Sequence, residues 1–265
     1  MPGRQGSMQQ SPASPPGDLY PDQLDLRSAR GEHSDPRAGV PRAAARSPLY
    51  NALIALLWVY RTAMVRSVDV LGREHIGTGA RILVSNHARV SDAFLLPFIF
   101  RGRIHSLAQQ ESFSLPVLGK LLEHAGQIPV RRGTGSRASL VLAADYLAKH
   151  EHVLIYPEGV LTHGGPLRRG LTGAARLSHQ TQVPMQPIGV FVPEANTRRF
   201  HGRFYDRPTI GCWQFGGPAV VAIGECLWPF PPTPQPVGPH EFRQATDLVM
   251  ARVRELVEAA RLALA

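Results

Sequence analysis

A histidine and an aspartate stand five positions apart in the stretch SNHARVSD, as His87 and Asp92. A neutral imidazole can take a proton from a hydroxyl, and a carboxylate behind it can fix the tautomer and steady the imidazolium that forms. That chemistry requires the two side chains to meet. On a continuous helix, residues five apart diverge by about 140°, so the pair can cooperate only if the chain bends between them. The spacing alone decides nothing, because eleven histidines and nine aspartates in 265 residues give roughly 0.4 chance matches.

The flanking residues supply the bend. RILVS (81–85) is a short apolar run bounded by turn residues, as in a buried strand. DAFLLPFIF opens like a helix, with Ser91 and Asp92 at its cap and Pro97 limiting it. His87 therefore falls just beyond a strand and Asp92 at a helix start, where the carboxylate can turn back onto Nδ1 and leave Nε2 to accept a proton. A helix-capping aspartate beside an incidental histidine would give the same pattern.

Three further stretches carry chemistry or shape it. GQIPVRRGTGSR (126–137) runs from a strand into Arg131, Arg132 and Arg137 at the mouth of a helix, a combination of amides and guanidinium groups suited to an anion. It matches neither nucleotide-binding fingerprint, and a basic surface turn would look alike. In LIYPEGVLTHGG (154–165), Pro157 and Gly159 force the chain out of the sheet and present Glu158 at a strand's carboxyl end, where open α/β sheets bind ligands. VPMQPIGVF (183–191) is a proline-broken apolar strand. That strand is expected to extend over 184–192, and others are expected at 104–110, 127–130, 153–157 and 219–227. Helices are expected at 136–150 with Ser136 as cap, at 169–180 and at 240–265. Strands alternating with helices argue an α/β fold, a mixed and largely parallel sheet flanked by helices.

Taken in order, the four stretches resemble the blocks of the glycerolipid acyltransferase family, whose bacterial type is 1-acylglycerol-3-phosphate acyltransferase. SNHARVSD resembles Asn-His-x4-Asp; GQIPVRR resembles Gly-x-Ile-x-Val-x-Arg; YPEGVLT with the following LRRG resembles Phe-Pro-Glu-Gly-Thr-Arg-Ser and its basic tail; VPMQPIGV resembles Val-Pro-x-x-Pro-Val. The resemblance runs from about residue 50 to the end. It implies O-acyl transfer from an acyl thioester, of coenzyme A or acyl carrier protein, to a lysolipid hydroxyl. His87 would be the general base and Asp92 its orienting carboxylate, with Arg132, Glu158 and Gly159 binding the acceptor. No cofactor or metal is implied beyond the thioester co-substrate. Two departures bear on the acceptor. Val160-Leu161-Thr162 stands where Thr-Arg-Ser is usual, and Arg131 stands where an aspartate is usual. Arg131, Arg168 and Arg169 are the nearby charges available to replace the missing arginine, and a differently charged lysolipid or another lipid alcohol gains ground.

Composition bounds the partners. The net charge is +9, and the excess is arginine, with Lys120 and Lys149 the lysines; such a chain suits an anionic partner. No nucleic-acid-reading motif is present. Residues 1–46, rich in Pro, Gly, Ser and Arg, lack apolar periodicity and are expected to be disordered. The first residues do not follow the basic-then-apolar order of a secretory leader. Cys212 and Cys226 make no disulfide framework and suggest free thiols in a reducing setting. PLYNALIALLWVY (48–60), with Arg61 and Arg66 beyond it, falls short of the roughly 20 residues of a spanning helix. A helix over 47–66 lying in the membrane interface is expected, within one acyltransferase domain over 47–265, peripheral at the cytoplasmic face. An ordinary amphipathic core helix is the alternative. A non-catalytic membrane-binding relative and a thioesterase using His87 and Asp92 on water are the rival functions.

Overall fold

In a computed structural model, residues 48–131, 137–204, 207–231 and 236–265 are described. The tail 1–46, Arg132 and the expected cap Ser136 lie outside them. The chain opens with α1 (Pro48–Met64) and β1 (Ser67–Leu71), then enters β2 (Ile82–Ser85). After β3 (Ile104–Gln109) come two short helices, α2 (Gln110–Phe113) and α3 (Leu118–His124), and then β4 (Ile128–Val130), α4 (Arg137–Ala148) and β5 (His152–Ile155). The second half runs α5 (Gly173–Thr181), β6 (Met185–Phe191), a hairpin of β7 (Thr197–Phe204) and β8 (Arg207–Gln214), β9 (Pro218–Ile223) and α6 (Pro239–Leu262).

Seven strands form one sheet in the order β1-β9-β6-β2-β5-β3-β4. The run from β6 to β4 is parallel, and β9 joins β6 antiparallel while pairing parallel with β1. The expected mixed, largely parallel sheet is therefore present. Side chains alternate across it, as the two-residue strand period demands. Ile82 and Val84 of β2 face one core with Leu140, Leu177, Val249 and Val253 of the α4, α5 and α6 layer. Leu83 faces the opposite core with Val65, Leu95, Leu96 and Phe100. Gly189 sets the spacing of α6 on β6: a Cβ there would lie 2.4 Å from the backbone of Leu256 and Val257.

The segment after β2 departs from the sequence reading. Instead of an α-helix from Asp92, the chain makes two 3₁₀ turns, Val90–Phe94 and Leu96–Phe98. Their backbone bonds run three residues back, from Leu95 to Asp92 and from Phe98 to Leu95. The cause is local: the Asp92 carboxylate takes the amides of Ala88 and Arg89, and Pro97 has no N–H to extend an α-turn. The strand β1 and the β7–β8 hairpin were not expected from the sequence.

Candidate active site

His87, at the carboxyl end of β2, is the central side chain. Asn86 before it completes the end of β6, donating through Nδ2 to Val190 O (3.0 Å) and accepting from Val190 N at Oδ1 (2.8 Å). Behind it, the Thr162 amide donates to His87 O at 2.9 Å, so the loop after the third motif folds onto the first. The His87 ring stacks on Tyr156, with centroids 3.9 Å apart and planes 15° from parallel. Its Nδ1 is buried without a partner, and Nε2 is the nitrogen left accessible. Burial pushes the His87 pKa down to about 4, and His163 adds to the shift in the same direction. The ring is thus neutral at ordinary pH, the state a proton acceptor needs.

Asp92 is buried. Its Oδ2 accepts from Ala88 N (3.1 Å) and Arg89 N (2.8 Å), while Oδ1 is buried and unpaired. The bend expected between His87 and Asp92 exists, and the carboxylate caps the two residues that follow the histidine. The expected hydrogen bond from His87 Nδ1 to Asp92 is not closed, since both atoms lack a partner. Tyr156 Oη is a third buried, unpaired polar atom here, its pKa raised well above the usual by burial and then by the Asp92 charge. Burial also lifts the Asp92 pKa to about 7, against the opposing pull of Arg89 and the two amides.

The residues expected to bind substrate divide sharply. Glu158 is buried, and both of its carboxylate oxygens are taken: His87 N donates to Oε1 at 3.0 Å and Arg168 N to Oε2 at 2.9 Å. Its geometry is that of a clamp between the first and third motifs, rather than a side chain reaching for an acceptor. Gly159 turns the chain at φ 66°, a left-handed conformation that disfavours side chains. Arg168 and Arg169 are exposed on the loop that Glu158 ties down. Arg131 follows β4 at the same sheet edge as His87, but β4 stands three strands from β2, about 14 Å at roughly 4.8 Å per strand. The structure therefore does not gather Arg131 beside His87.

Three residues not foreseen complete the surroundings. Tyr156 sits one residue before Pro157-Glu158, so its place inside the motif was a usable signal. His163, with φ 56°, places Nδ1 3.2 Å from Cys212 Sγ of β8. Nothing in the sequence marked that contact, because only the fold brings 163 and 212 together. Arg89, buried, donates through Nε to Thr197 Oγ1 and through Nη2 to Val192 O, both at 2.7 Å. Cys212 and Cys226 are both free thiols.

This arrangement defines a class of site: a neutral imidazole stacked on a tyrosine at a sheet's carboxyl edge, with a buried carboxyl capping the bend that follows it. Comparison adds what the chain is similar to. Residues 67–191 match the model of the family described as Acyltransferase. The chain is similar to a 1-acyl-sn-glycerol-3-phosphate acyltransferase of Limnanthes douglasii, 29% identical over 145 residues, covering 52% of this chain and 50% of that protein. The human 1-acyl-sn-glycerol-3-phosphate acyltransferase alpha is 30% identical over 125 residues, or 46% and 44% of the two chains. A lyso-ornithine lipid O-acyltransferase of Pseudomonas aeruginosa is 34% identical over 110 residues, 40% and 41% of the two chains. The chain thus spans about half or less of the length of these curated relatives. Among solved structures, the 1-acyl-sn-glycerophosphate acyltransferase of Thermotoga maritima shares the fold, with a TM-score of 0.54 over 78% of each chain at 20% identity.

Proposed function

We propose that the protein transfers a fatty acyl group from an acyl thioester to the hydroxyl of a lysolipid, in phospholipid synthesis or remodelling. The observation that carries this reading is the neutral His87, with its accessible Nε2 and the buried Asp92 capping the bend beyond it, inside the segment that matches the Acyltransferase model. In the proposed reaction, Nε2 takes the proton of the acceptor hydroxyl as its oxygen attacks the thioester carbonyl. The tetrahedral intermediate collapses to the new ester. The departing thiolate recovers the proton from the imidazolium, so His87 ends as it began. General-base help of this kind is worth roughly 10² to 10⁴ in rate. Asp92 stabilises the imidazolium, and no nucleophile of the enzyme is acylated. Gly159, with Arg168 and Arg169 on the loop held by Glu158, is proposed to bind the acceptor's headgroup, and the motif resemblance assigns Arg132 the same partner.

The donor in this reading is acyl-CoA or acyl-acyl carrier protein, and the setting is the cytoplasmic face of a membrane. Support for a membrane comes from α1, where Leu56, Trp58 and Val59 are 53 to 57% exposed. No helix among the described residues is long and apolar enough to cross a membrane. An exposed apolar helix of this length suits the headgroup boundary, with the exposed Arg66 beyond its end available to the phosphates.

A second acceptor has a specific observation in its favour. Val160-Leu161 replaces the Thr-Arg usual in the third motif, and one relative is named for a lyso-ornithine lipid, a lysolipid of a different kind from 1-acylglycerol 3-phosphate. Purified protein, one labelled acyl-CoA and a panel of lysophosphatidate, other lysophospholipids, lyso-ornithine lipid and neutral lipid alcohols test the reading. Labelled diacyl product is expected with at least one lysolipid. Release of free fatty acid alone would make the protein a thioesterase, and no turnover would favour a non-catalytic membrane-binding protein.

A further inference from the structure

The β7–β8 hairpin is a two-stranded ribbon separate from the seven-stranded sheet. Between residues 197 and 214 the sequence has four arginines against one aspartate. From Arg198 to Arg203 every residue is exposed, including Phe200 at 53%. A ribbon so exposed gains little from burial, and its composition calls for a partner.

The pairing register shows where the two faces look. Residues directly opposite on an antiparallel pair project to the same side. Arg198 pairs with Trp213 and Phe200 with Gly211, so Arg198, Phe200 and Trp213 share one face. Trp213 packs 6.3 Å from the Tyr60 ring of α1 and 5.7 Å from Phe94. Tyr60 Oη donates to Gln214 O at 2.8 Å, and the Gly216 amide donates to Met64 O at 2.7 Å, which fastens the base of the hairpin to the end of α1. Phe200 meets Phe215 at 5.7 Å. This face therefore meets α1 through the half-buried pair Trp213 and Tyr60, and beyond them Phe200 and Phe215 stand exposed beside each other. The other face carries Arg199 opposite Cys212 and looks toward the site, where Cys212 meets His163 and Arg199 Nη2 donates to His163 O at 3.3 Å.

We infer that the Arg198–Phe200 face of the hairpin is a second membrane-contacting element, docking on anionic phospholipid headgroups beside α1. The inference rests on the membrane reading of α1 for its geometry. Charge alone would equally attract an acidic protein. Exposed aromatic rings beside a guanidinium, on a ribbon fastened to an apolar helix, match a lipid interface, where rings sit at headgroup level and arginine stems lie along apolar surface. Docked this way, the hairpin holds the His163 loop, and through it His87, at the surface where a lysolipid resides.

Sedimentation of the full chain with phosphatidylcholine vesicles, with and without phosphatidylglycerol, tests it. Arg198→Glu changes the local charge by two, and each unit near an anionic surface is worth roughly fivefold, so its partition onto the anionic vesicles falls about 25-fold. Binding to neutral vesicles stays as in the unaltered protein. Phe200→Ser weakens binding to both kinds of vesicle. The inference is overturned if both variants, folded by circular dichroism, bind vesicles like the unaltered protein. It is also overturned if Arg198→Glu keeps vesicle binding and instead loses affinity for acyl carrier protein, which would make the hairpin a donor dock. The readout needs no turnover, so a protein inactive on every acceptor would leave the result standing.

Discussion

Replacing Glu158 by Gln separates two roles for that residue. As a clamp, its carboxylate accepts from the His87 amide at 3.0 Å and the Arg168 amide at 2.9 Å, in a buried position. A glutamine keeps one acceptor and turns an NH₂ group toward the other N–H. One hydrogen bond to a carboxylate, worth about 1.5 to 3 kcal/mol, is lost, and a buried amide is left unpaired. The expected cost is about 3 kcal/mol, which for a chain of this size lowers Tm by roughly 6 to 12 °C. Glu158→Ala, losing both bonds, falls further. Thermal unfolding followed by circular dichroism reads the first effect, and steady-state kinetics with varied acceptor reads the second. Because the clamp fixes the backbone of His87, kcat falls in Glu158→Gln while the acceptor KM holds. An unchanged Tm with a raised acceptor KM would refute the clamp and return Glu158 to the acceptor's headgroup.

Two further outcomes follow from the same geometry. His87 is neutral at any pH above about 4, whereas Asp92 gains its stabilising charge only as pH rises through about 7. The kcat profile therefore has its acidic limb near 7, lost in Asp92→Asn with a lower plateau. A limb near 4 would show that Asp92 takes no part. Gly189→Ala places a Cβ 2.4 Å from α6 backbone atoms, an overpacking that costs about 1 to 3 kcal/mol. Tm drops by several degrees, and an unchanged Tm would contradict the tight seat of α6 on β6.

What the sequence disclosed was what is local. The strand-to-bend placement of His87 and Asp92 rests on an apolar run meeting polar caps, and the turn at Pro157-Glu158-Gly159 rests on Pro and Gly. Both are present as read. The helix expected after Asp92 failed for a reason also written locally, since Asp92 spends its side chain on the amides of Ala88 and Arg89. Tertiary facts were not legible. Glu158 turns inward because two distant amides, from His87 and Arg168, converge on it. The β7 strand escaped notice because its residues are exposed on both faces from Arg198 to Arg203. The alternation that marks a half-buried strand is absent there. His163 follows the third motif with nothing to distinguish it until the fold sets it against Cys212.

The central claim is that His87 takes the acceptor's proton, and His87→Ala tests it most directly. Acyl transfer from a labelled thioester to the best acceptor of the panel is measured beside vesicle binding of the same preparation. Turnover is predicted to fall by roughly 10² to 10⁴, with vesicle binding and Tm close to those of the unaltered protein. Turnover within a few-fold of the unaltered protein would contradict the mechanism.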